Sequence, residues 1–439
     1  MTVGFAGTAL ERRLGPLDAA VIVISNVIGV GIFTTPGIVA TMVPGGGAML
    51  AVWAAGGALA FAGALAYAEL AARRPQAGGE YVYLRESFGG LAAFLTGWTS
   101  FVAGFSGAIA AGAVGVTAYL DRLLPGVGHH ASAVAISIIA ALALVHARGL
   151  GPGRLVQNGL TIVKVGALVA FVIAGLTLAP RGAPVVPVHV EVKPTVWMLA
   201  LVPVMFSYAG WNAAVYVAEE IRDPIRNVPR ALALGTATVV AIYLALNAVY
   251  LRVVPPEAFA GTIGVGEVAA GRLFGSAAAG AFAVLAIIVV LGSLSAMTLA
   301  GPRIYFAMAR DGAFLPAAGR VHPRWHTPAV AILAQAAWSA LLVLSGTFEQ
   351  LLTYTGFAVI LFSGLAVLSL FVVRRRGEDS ATFRAWGYPW APALFCLVSF
   401  AIVVNTIAEA PRVAFAGLGV MAAGVPLYWG MTRARRPTA

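Results

Sequence analysis

The chain has 439 residues, of which 60% are hydrophobic and only 10% are Asp, Glu, Lys or Arg. A soluble domain carries roughly 25% charged residues, so this composition excludes a soluble enzyme, a disordered chain and a disulfide scaffold. What remains is an all-α polytopic membrane protein. Its net charge of +11 belongs to loops, as its distribution along the chain shows, and not to a nucleic-acid surface.

A bilayer core about 30 Å thick needs roughly 20 apolar residues per helix. Twelve such stretches follow in chain order, at 17–40, 47–69, 82–119, 131–147, 156–179, 195–217, 230–253, 276–308, 328–345, 350–373, 389–408 and 412–431. The third and eighth are long enough to tilt or to extend beyond the bilayer. Basic residues set the orientation. With the N-terminus inside, only Arg122, Arg181, Lys193, Arg252, Arg272 and Arg412 fall outside, and Lys164 lies within a span. Every other Lys and Arg, Arg435 and Arg436 of the last segment included, falls inside. This predicts a multi-pass protein of the cell membrane with both termini cytoplasmic. Met1 to Arg13 lacks the apolar region of a cleavable signal peptide.

No Walker A loop, Cys/His metal cluster or Ser/His/Asp arrangement is present, so no catalytic residue, metal or cofactor is expected. The histidines, His129, His130, His146, His189, His322 and His326, sit in predicted loops or at span ends. The single cysteine, Cys396, falls in an apolar run and reads as packing.

Two spans are interrupted. In the first, Ile28-Gly29-Val30-Gly31-Ile32-Phe33 precedes Pro36. Each glycine weakens a helix by about 1 kcal/mol relative to Ala, and Pro36 can break the helix or start a new one. Five spans later, Phe206-Ser207-Tyr208-Ala209-Gly210-Trp211-Asn212 again gathers small and polar residues mid-span. Unwound backbone at membrane depth is tolerated only where it lines a cavity or is buried in protein. Breaks in matching positions of two five-helix sets point to an inverted-repeat transporter. The repeats cover residues 17–179 and 195–373, with two added helices in 374–431 and cytoplasmic tails at 1–16 and 432–439. Free N–H groups at half-helix starts suit a carboxylate and carbonyls at half-helix ends suit an ammonium. Together they fit a zwitterionic α-amino acid.

Lys164 lies about 12 Å into the fifth span at 1.5 Å per residue. A charge at that depth is costly and marks function by default. Either a fixed ammonium bridges carbonyls of span one and hydroxyls of span eight, Ser293 and Ser295, in place of a sodium ion, or a desolvated lysine carries protons.

These residues resemble the amino acid–polyamine–organocation superfamily of permeases, and the chain is similar to bacterial relatives of the L-type amino acid transporters. The resemblance rests on Gly29-Val30-Gly31-Ile32-Phe33, on Phe206 to Asn212, and on segments between spans. Those segments are Glu69-Leu70-Ala71, Gly78-Gly79-Glu80-Tyr81, Glu219-Glu220-Ile221, Asn227-Val228-Pro229-Arg230, Gly301-Pro302-Arg303 and Ala309-Arg310-Asp311-Gly312. It implies a LeuT-like fold, five-plus-five inverted repeats with two further helices. It implies that the backbone of Ile28, Gly29, Val30, Gly31, Ile32 and Phe33 and of Phe206, Ser207, Tyr208, Ala209 and Gly210 binds substrate. It further implies that Phe206 gates the site and that Lys164 occupies the vacated sodium position. The chain departs from many L-type members at Val30, where they carry Ser, and at Ala209, where they often carry Gly. No cysteine lies where it could link to an accessory glycoprotein, so the subunit is expected to act alone in the lipid bilayer.

The expected function is secondary transport of neutral or small amino acids by sodium-independent exchange or proton coupling. A polyamine or organic-cation permease is the alternative, but it would want acidic residues at mid-span, and none is present there. A receptor or channel would need a signalling domain or a filter motif. Arg73, Arg74, Glu80, Arg85, Glu219, Glu220 and Arg222 either anchor loops at the anionic inner face or pair across spans as an inner gate. Asp18 is expected to cap the first helix.

Overall fold

The computed structural model describes residues 10–179, 193–254, 258–262, 264–275, 278–377 and 383–433. Arg181, His189, Arg435 and Arg436, and much of both tails, lie outside the described residues. Within them the chain is helical, with one isolated bridge, Leu14 to Ile221, pairing the approach to the first helix with the segment after the second break.

The helices are α1 (Pro16–Val27), α2 (Gly31–Met42), α3 (Gly46–Arg73), α4 (Glu80–Phe88), α5 (Gly90–Thr99), α6 (Phe105–Leu123), α7 (Ala131–Ala147), α8 (Leu150–Leu178), α9 (Pro194–Tyr208) and α10 (Ala213–Tyr216). They continue with α11 (Pro224–Val253), α12 (Val265–Phe274), α13 (Ala278–Ala300), α14 (Pro302–Arg310), α15 (Ala329–Ser345), α16 (Phe348–Arg375), α17 (Trp390–Glu409), α18 (Pro411–Ala422) and α19 (Gly424–Arg433). Among the described residues, nine helices are long and apolar enough to cross a membrane, or up to ten if α1 and α2, bent by 47°, form one span. Two further apolar helices, Thr195–Tyr208 and Ala329–Ser345, are shorter.

The expected third span, 82–119, is not continuous. Gly89, at φ +92°, ends α4 and turns the chain into α5. A positive φ costs glycine nothing, and the charges of α4, Glu80, Arg85 and Glu86, keep it apart from the apolar run that follows. A π-helical segment, Ser100–Gly104, then joins α5 to α6, and its Val102 carbonyl accepts the Trp338 indole N–H at 2.9 Å. Pro36 does not make the first break: it sits inside α2, and the break is at Ile28 to Val30. Helix α12, in a segment read as loop, packs on α2 and α13, where Phe33 and Phe282 meet edge to face at 5.1 Å.

Helix α1 starts at Pro16, whose fixed φ suits a first turn. The Gly15 N–H donates to Asp18 Oδ2 at 2.8 Å, so Asp18 does cap this start. The core forms where α1 and α3 pack on α11, and α13 packs on α6, α8 and α1. This arrangement carries both breaks into the middle of the bundle.

Candidate functional site: two unwound segments and a buried lysine

At the first break the carbonyls left free at the helix end are taken by side chains from elsewhere. The Ser25 and Ile28 carbonyls both accept from Lys164 Nζ on α8, at 2.9 and 3.0 Å. The same two accept from Ser293 Oγ on α13, at 3.0 and 2.9 Å. The Val27 carbonyl accepts from the Tyr243 hydroxyl on α11 at 2.9 Å. Helix ends leave carbonyls that need such partners, and here the lysine Nζ and two hydroxyls supply them. Lys164 is fully buried. Gly292 makes room for it: a Cβ there would lie 3.0 Å from Nζ and 3.3 Å from Ser25 Oγ. The Ser25 hydroxyl donates to the Gly292 carbonyl at 2.9 Å, closing the cluster.

The second break lies against the first. Gly210 has φ +101°, and a Cβ on it would fall 2.4 Å from Asn26 Nδ2. That amide donates to the Gly210 carbonyl at 3.2 Å. Gly31 packs as closely, its hypothetical Cβ 2.9 Å from Ser207 Oγ, and Ser207 donates to Thr35 Oγ1 at 2.7 Å. The two segments therefore touch through glycines because no side chain fits between them. Gly210→Ala adds both a clash and backbone strain. It is expected to lower uptake in proteoliposomes by at least about tenfold at unchanged membrane insertion, a loss of 1.4 kcal/mol or more.

The residues singled out from the sequence divide into two groups here. Val30, 41% exposed, and Phe206, 58% exposed, stand open beside the breaks, with Gly29, Gly31, Ala209 and Gly210 half-buried between them. Ile28, Ile32, Phe33, Ser207 and Tyr208 are buried. Tyr208 turns away, its hydroxyl on the Trp53 carbonyl at 3.3 Å and its ring 5.1 Å from Tyr243, so only its backbone belongs to the break. Trp211 packs on Tyr67 at 4.8 Å. Ser295 does not join the lysine: its hydroxyl sits 2.9 Å from His146 Nε2. It is two residues from Ser293, and 100° of rotation per residue turns it to another face of α13. His146, read as a span-end residue, is buried there against α13.

Glu80, one of the charged residues expected either to anchor loops or to pair across spans, also reaches this region. Glu80 Oε1 accepts from Tyr67 at 2.5 Å, from Asn212 at 2.7 Å and from Ser363 at 3.3 Å. Burial pushes its carboxyl above the ordinary range, against the lowering effect of the hydrogen bonds from Tyr67, Asn212 and Ser363. Glu80 thereby ties α3, α16 and the second break to the start of α4. Sequence spacing carries no sign of this, because its partners lie between 13 and 283 residues away.

On the same end of the bundle, ion pairs join separate elements. Arg303 and Glu220, both fully buried, pair at 2.7 Å, Arg310 meets Glu219 at 3.0 Å, and Arg85 meets Asp311. Arg74 pairs with Glu86 at 2.8 Å, and within α3 itself Arg73 pairs with Glu69 at 2.7 Å. Arg222 takes part through its backbone, donating to the Leu14 carbonyl at 2.9 Å. Among the described residues no group of three or more His, Cys, Asp or Glu is placed to hold a metal.

Nine or ten helices long and apolar enough to cross a membrane, among the described residues, with the break between α1 and α2 lying against the interruption after α9 and a buried lysine beside it, are the frame of a polytopic membrane protein. The chain belongs to the amino acid permease family, whose model matches residues 14–430. It is 30% identical over 434 residues to the serine/threonine exchanger SteT of Bacillus subtilis (strain 168), covering 97% of this chain and 98% of that protein. It is 28% identical over 439 residues to the large neutral amino acids transporter small subunit 2 of Homo sapiens, covering 97% of this chain and 81% of that one. It is likewise 28% identical over 415 residues to the b(0,+)-type amino acid transporter 1 of Mus musculus, covering 92% and 84%. The protein is thus an amino acid permease and not an enzyme.

Proposed function

We propose that this permease exchanges small or neutral amino acids across the cell membrane, independently of sodium, by alternating access. The observation that carries the reading is the Lys164 ammonium, held on the Ser25 and Ile28 carbonyls beside the break. Two carbonyls and the Ser293 hydroxyl are the kind of oxygen cluster that would coordinate a monovalent cation, and the ammonium supplies that charge. The half-buried backbone of Gly29, Val30, Gly31, Ala209 and Gly210 is the part of the breaks open to a substrate. The free N–H groups at the start of α2 would take its carboxylate. Phe206, exposed at the opening, is the gate. Similarity to a serine/threonine exchanger supports a small neutral cargo.

The full architecture we propose has twelve spans: 17–179 and 195–373 as inverted repeats, then 374–431, with both termini cytoplasmic. The basic residues inside and the matched breaks support it. The ion pairs Arg303–Glu220, Arg310–Glu219 and Arg85–Asp311 then form the closed inner gate. The subunit works without a covalently attached partner, since its one cysteine, Cys396, is buried and sits 3.5 Å from the Gly364 carbonyl. A polyamine cargo is disfavoured because no Asp or Glu lies within Ile28 to Gly31 or Phe206 to Asn212, and the nearby Glu80 carboxylate is already taken by Tyr67, Asn212 and Ser363.

Uptake of radiolabelled serine into proteoliposomes tests this directly, with and without serine inside and at two imposed pH gradients. Uptake that requires internal amino acid and ignores the gradient is the expected result. Uptake into empty vesicles driven by an inward proton gradient would replace exchange by symport, with Lys164 as the proton carrier. Polyamine uptake without amino acid uptake would sink the reading.

A further inference from the structure

The start of α4 is docked by its backbone against the segment that follows the second break. The Gly78 N–H donates to the Tyr216 carbonyl at 3.2 Å. Gly79 has φ +50°, and a Cβ on it would lie 2.7 Å from both the Tyr216 ring and the Val215 side chain. No side chain fits there, so the chain comes close enough to α10 to bring the next residue, Glu80, onto Asn212. One carboxylate oxygen, Oε1, then collects the Tyr67 hydroxyl from α3, Asn212 Nδ2 from the second break and the Ser363 hydroxyl from α16. Asn212 Nδ2 also donates to the Tyr216 hydroxyl at 2.9 Å. Tyr67 packs on Trp211, with ring centroids 4.8 Å apart. The two residues after Gly210 are thus both held from Glu80, Asn212 by a direct bond and Trp211 through Tyr67. Gly210 is the residue whose carbonyl meets Asn26 of the first break.

Building on the transport reading, we propose that Glu80 is a positioning residue for transport: its ionised carboxylate holds the second break in the form that takes substrate, and a proton on it loosens that hold. The proton enters at Oε2 and leaves Oε1 a neutral carbonyl oxygen. Hydrogen bonds to an ionised acceptor are roughly twice as strong as those to a neutral one. The form that takes substrate then makes up a smaller fraction of molecules, and apparent affinity falls in proportion. Burial raises the carboxyl above its ordinary range, against the lowering effect of its hydrogen-bond donors, which brings its titration closer to neutral pH. The titratable groups set against it are Tyr67 of α3, Tyr216 of α10 and Tyr83 of its own helix. Helix α16 presents Ser363, and its Arg374 is bound to Glu69. Helix α14 carries Tyr305, with Arg303 bound to Glu220 and Arg310 to Glu219, and α5 carries no titratable residue. Tyrosine titrates at about pH 10, so at neutral and mildly acid pH the carboxyl is the group of this cluster that changes charge.

One test is free of substrate. In detergent without amino acid, hydrogen exchange at the backbone amides of residues 210–217 is expected to run about tenfold faster in Glu80→Gln than in the unmodified protein at the same pH. The second is serine exchange in proteoliposomes with equal pH on both sides. Between roughly pH 8 and pH 5.5 the KM of the unmodified protein is expected to rise about tenfold, with kcat constant within about twofold. Glu80→Gln is expected to show the raised KM at both pH values. Glu80→Asp keeps a titrating carboxylate and is expected to restore the pH dependence, which a packing role alone would not. Unchanged hydrogen exchange in Glu80→Gln, or a KM in the unmodified protein that ignores pH, would overturn the proposal. So would a pH profile that persists in Glu80→Gln, since it would then belong to another group such as Lys164. If the unmodified protein exchanges no amino acid, the transport reading falls, and the hydrogen-exchange result alone decides whether Glu80 holds the second break.

Discussion

Lys164→Ala is expected to lower amino acid uptake in proteoliposomes by about a hundredfold while the protein still inserts and purifies. The Lys164 side chain is fully buried and its Nζ donates to two carbonyls at the end of α1, Ser25 and Ile28. Hydrogen bonds to a charged group contribute about 1.5–3 kcal/mol each, and a hundredfold change corresponds to about 2.7 kcal/mol. After the substitution Ser293 has one hydroxyl proton left to share between both carbonyls. The end of α1 then loses the contact that ties it to α8, and the geometry of the break loosens. Lys164→Met separates charge from packing, because it fills most of the same volume without an ammonium. The same loss with Met places the effect in the charge, whereas recovery with Met places it in the cavity that Ala leaves. Uptake within about threefold of the unmodified protein for both variants would mean that Lys164 takes no part in the cycle.

Arg303→Met is expected to destabilise the fold by about 3–5 kcal/mol, read as a lowered unfolding midpoint in detergent. Arg303 and Glu220 have no exposed side-chain surface. The guanidinium donates to both Glu220 oxygens, at 2.7 and 3.0 Å, and to the Leu299 carbonyl at 2.5 Å. Removing the cation leaves a carboxylate buried without its partner, which is the costly outcome for such pairs. Adding Glu220→Leu removes the stranded charge as well and is expected to restore most of the midpoint. If the single change leaves the midpoint unmoved, water reaches Glu220 and the pair is not sealed. If the double variant is as unstable as the single one, the loss comes from packing and not from charge. Should the pair serve as the inner gate, the stable double variant would also leak substrate between vesicle and medium.

Much of this could be read before any coordinates. Hydropathy separates the long helices because each apolar run must span the bilayer on its own residues. Gly29, Gly31 and Gly210 mark the breaks because their weakness in a helix is local. Lys164 stands out because a lone charge about 12 Å into an apolar run is costly and lies deep for a side chain that snorkels to the interface. The π-helical segment at Ser100 to Gly104 and helix α12 were missed for the opposite reason. The first is indistinguishable in pattern from ordinary helix, and the second is held by packing on α2 and α13. Pro36, which can break a helix or start a new one, lies inside α2, and α1 ends several residues earlier, where Lys164 occupies the Ser25 and Ile28 carbonyls.

By itself, then, the sequence determined a multi-pass helical membrane protein of the amino acid permease family, with two weakened spans and one intramembrane cation. Those properties follow from composition and local pattern, which act within a single span. The tertiary structure alone decided who meets whom: Lys164 and Ser293, but not Ser295, with the Ser25 and Ile28 carbonyls, Asn26 with Gly210, Tyr243 with Val27, Glu80 with Asn212, and Arg303 with Glu220. Each such contact joins residues far apart in the chain through one hydrogen bond or a few. A buried polar group must find a partner, but sequence spacing does not say which helix supplies it.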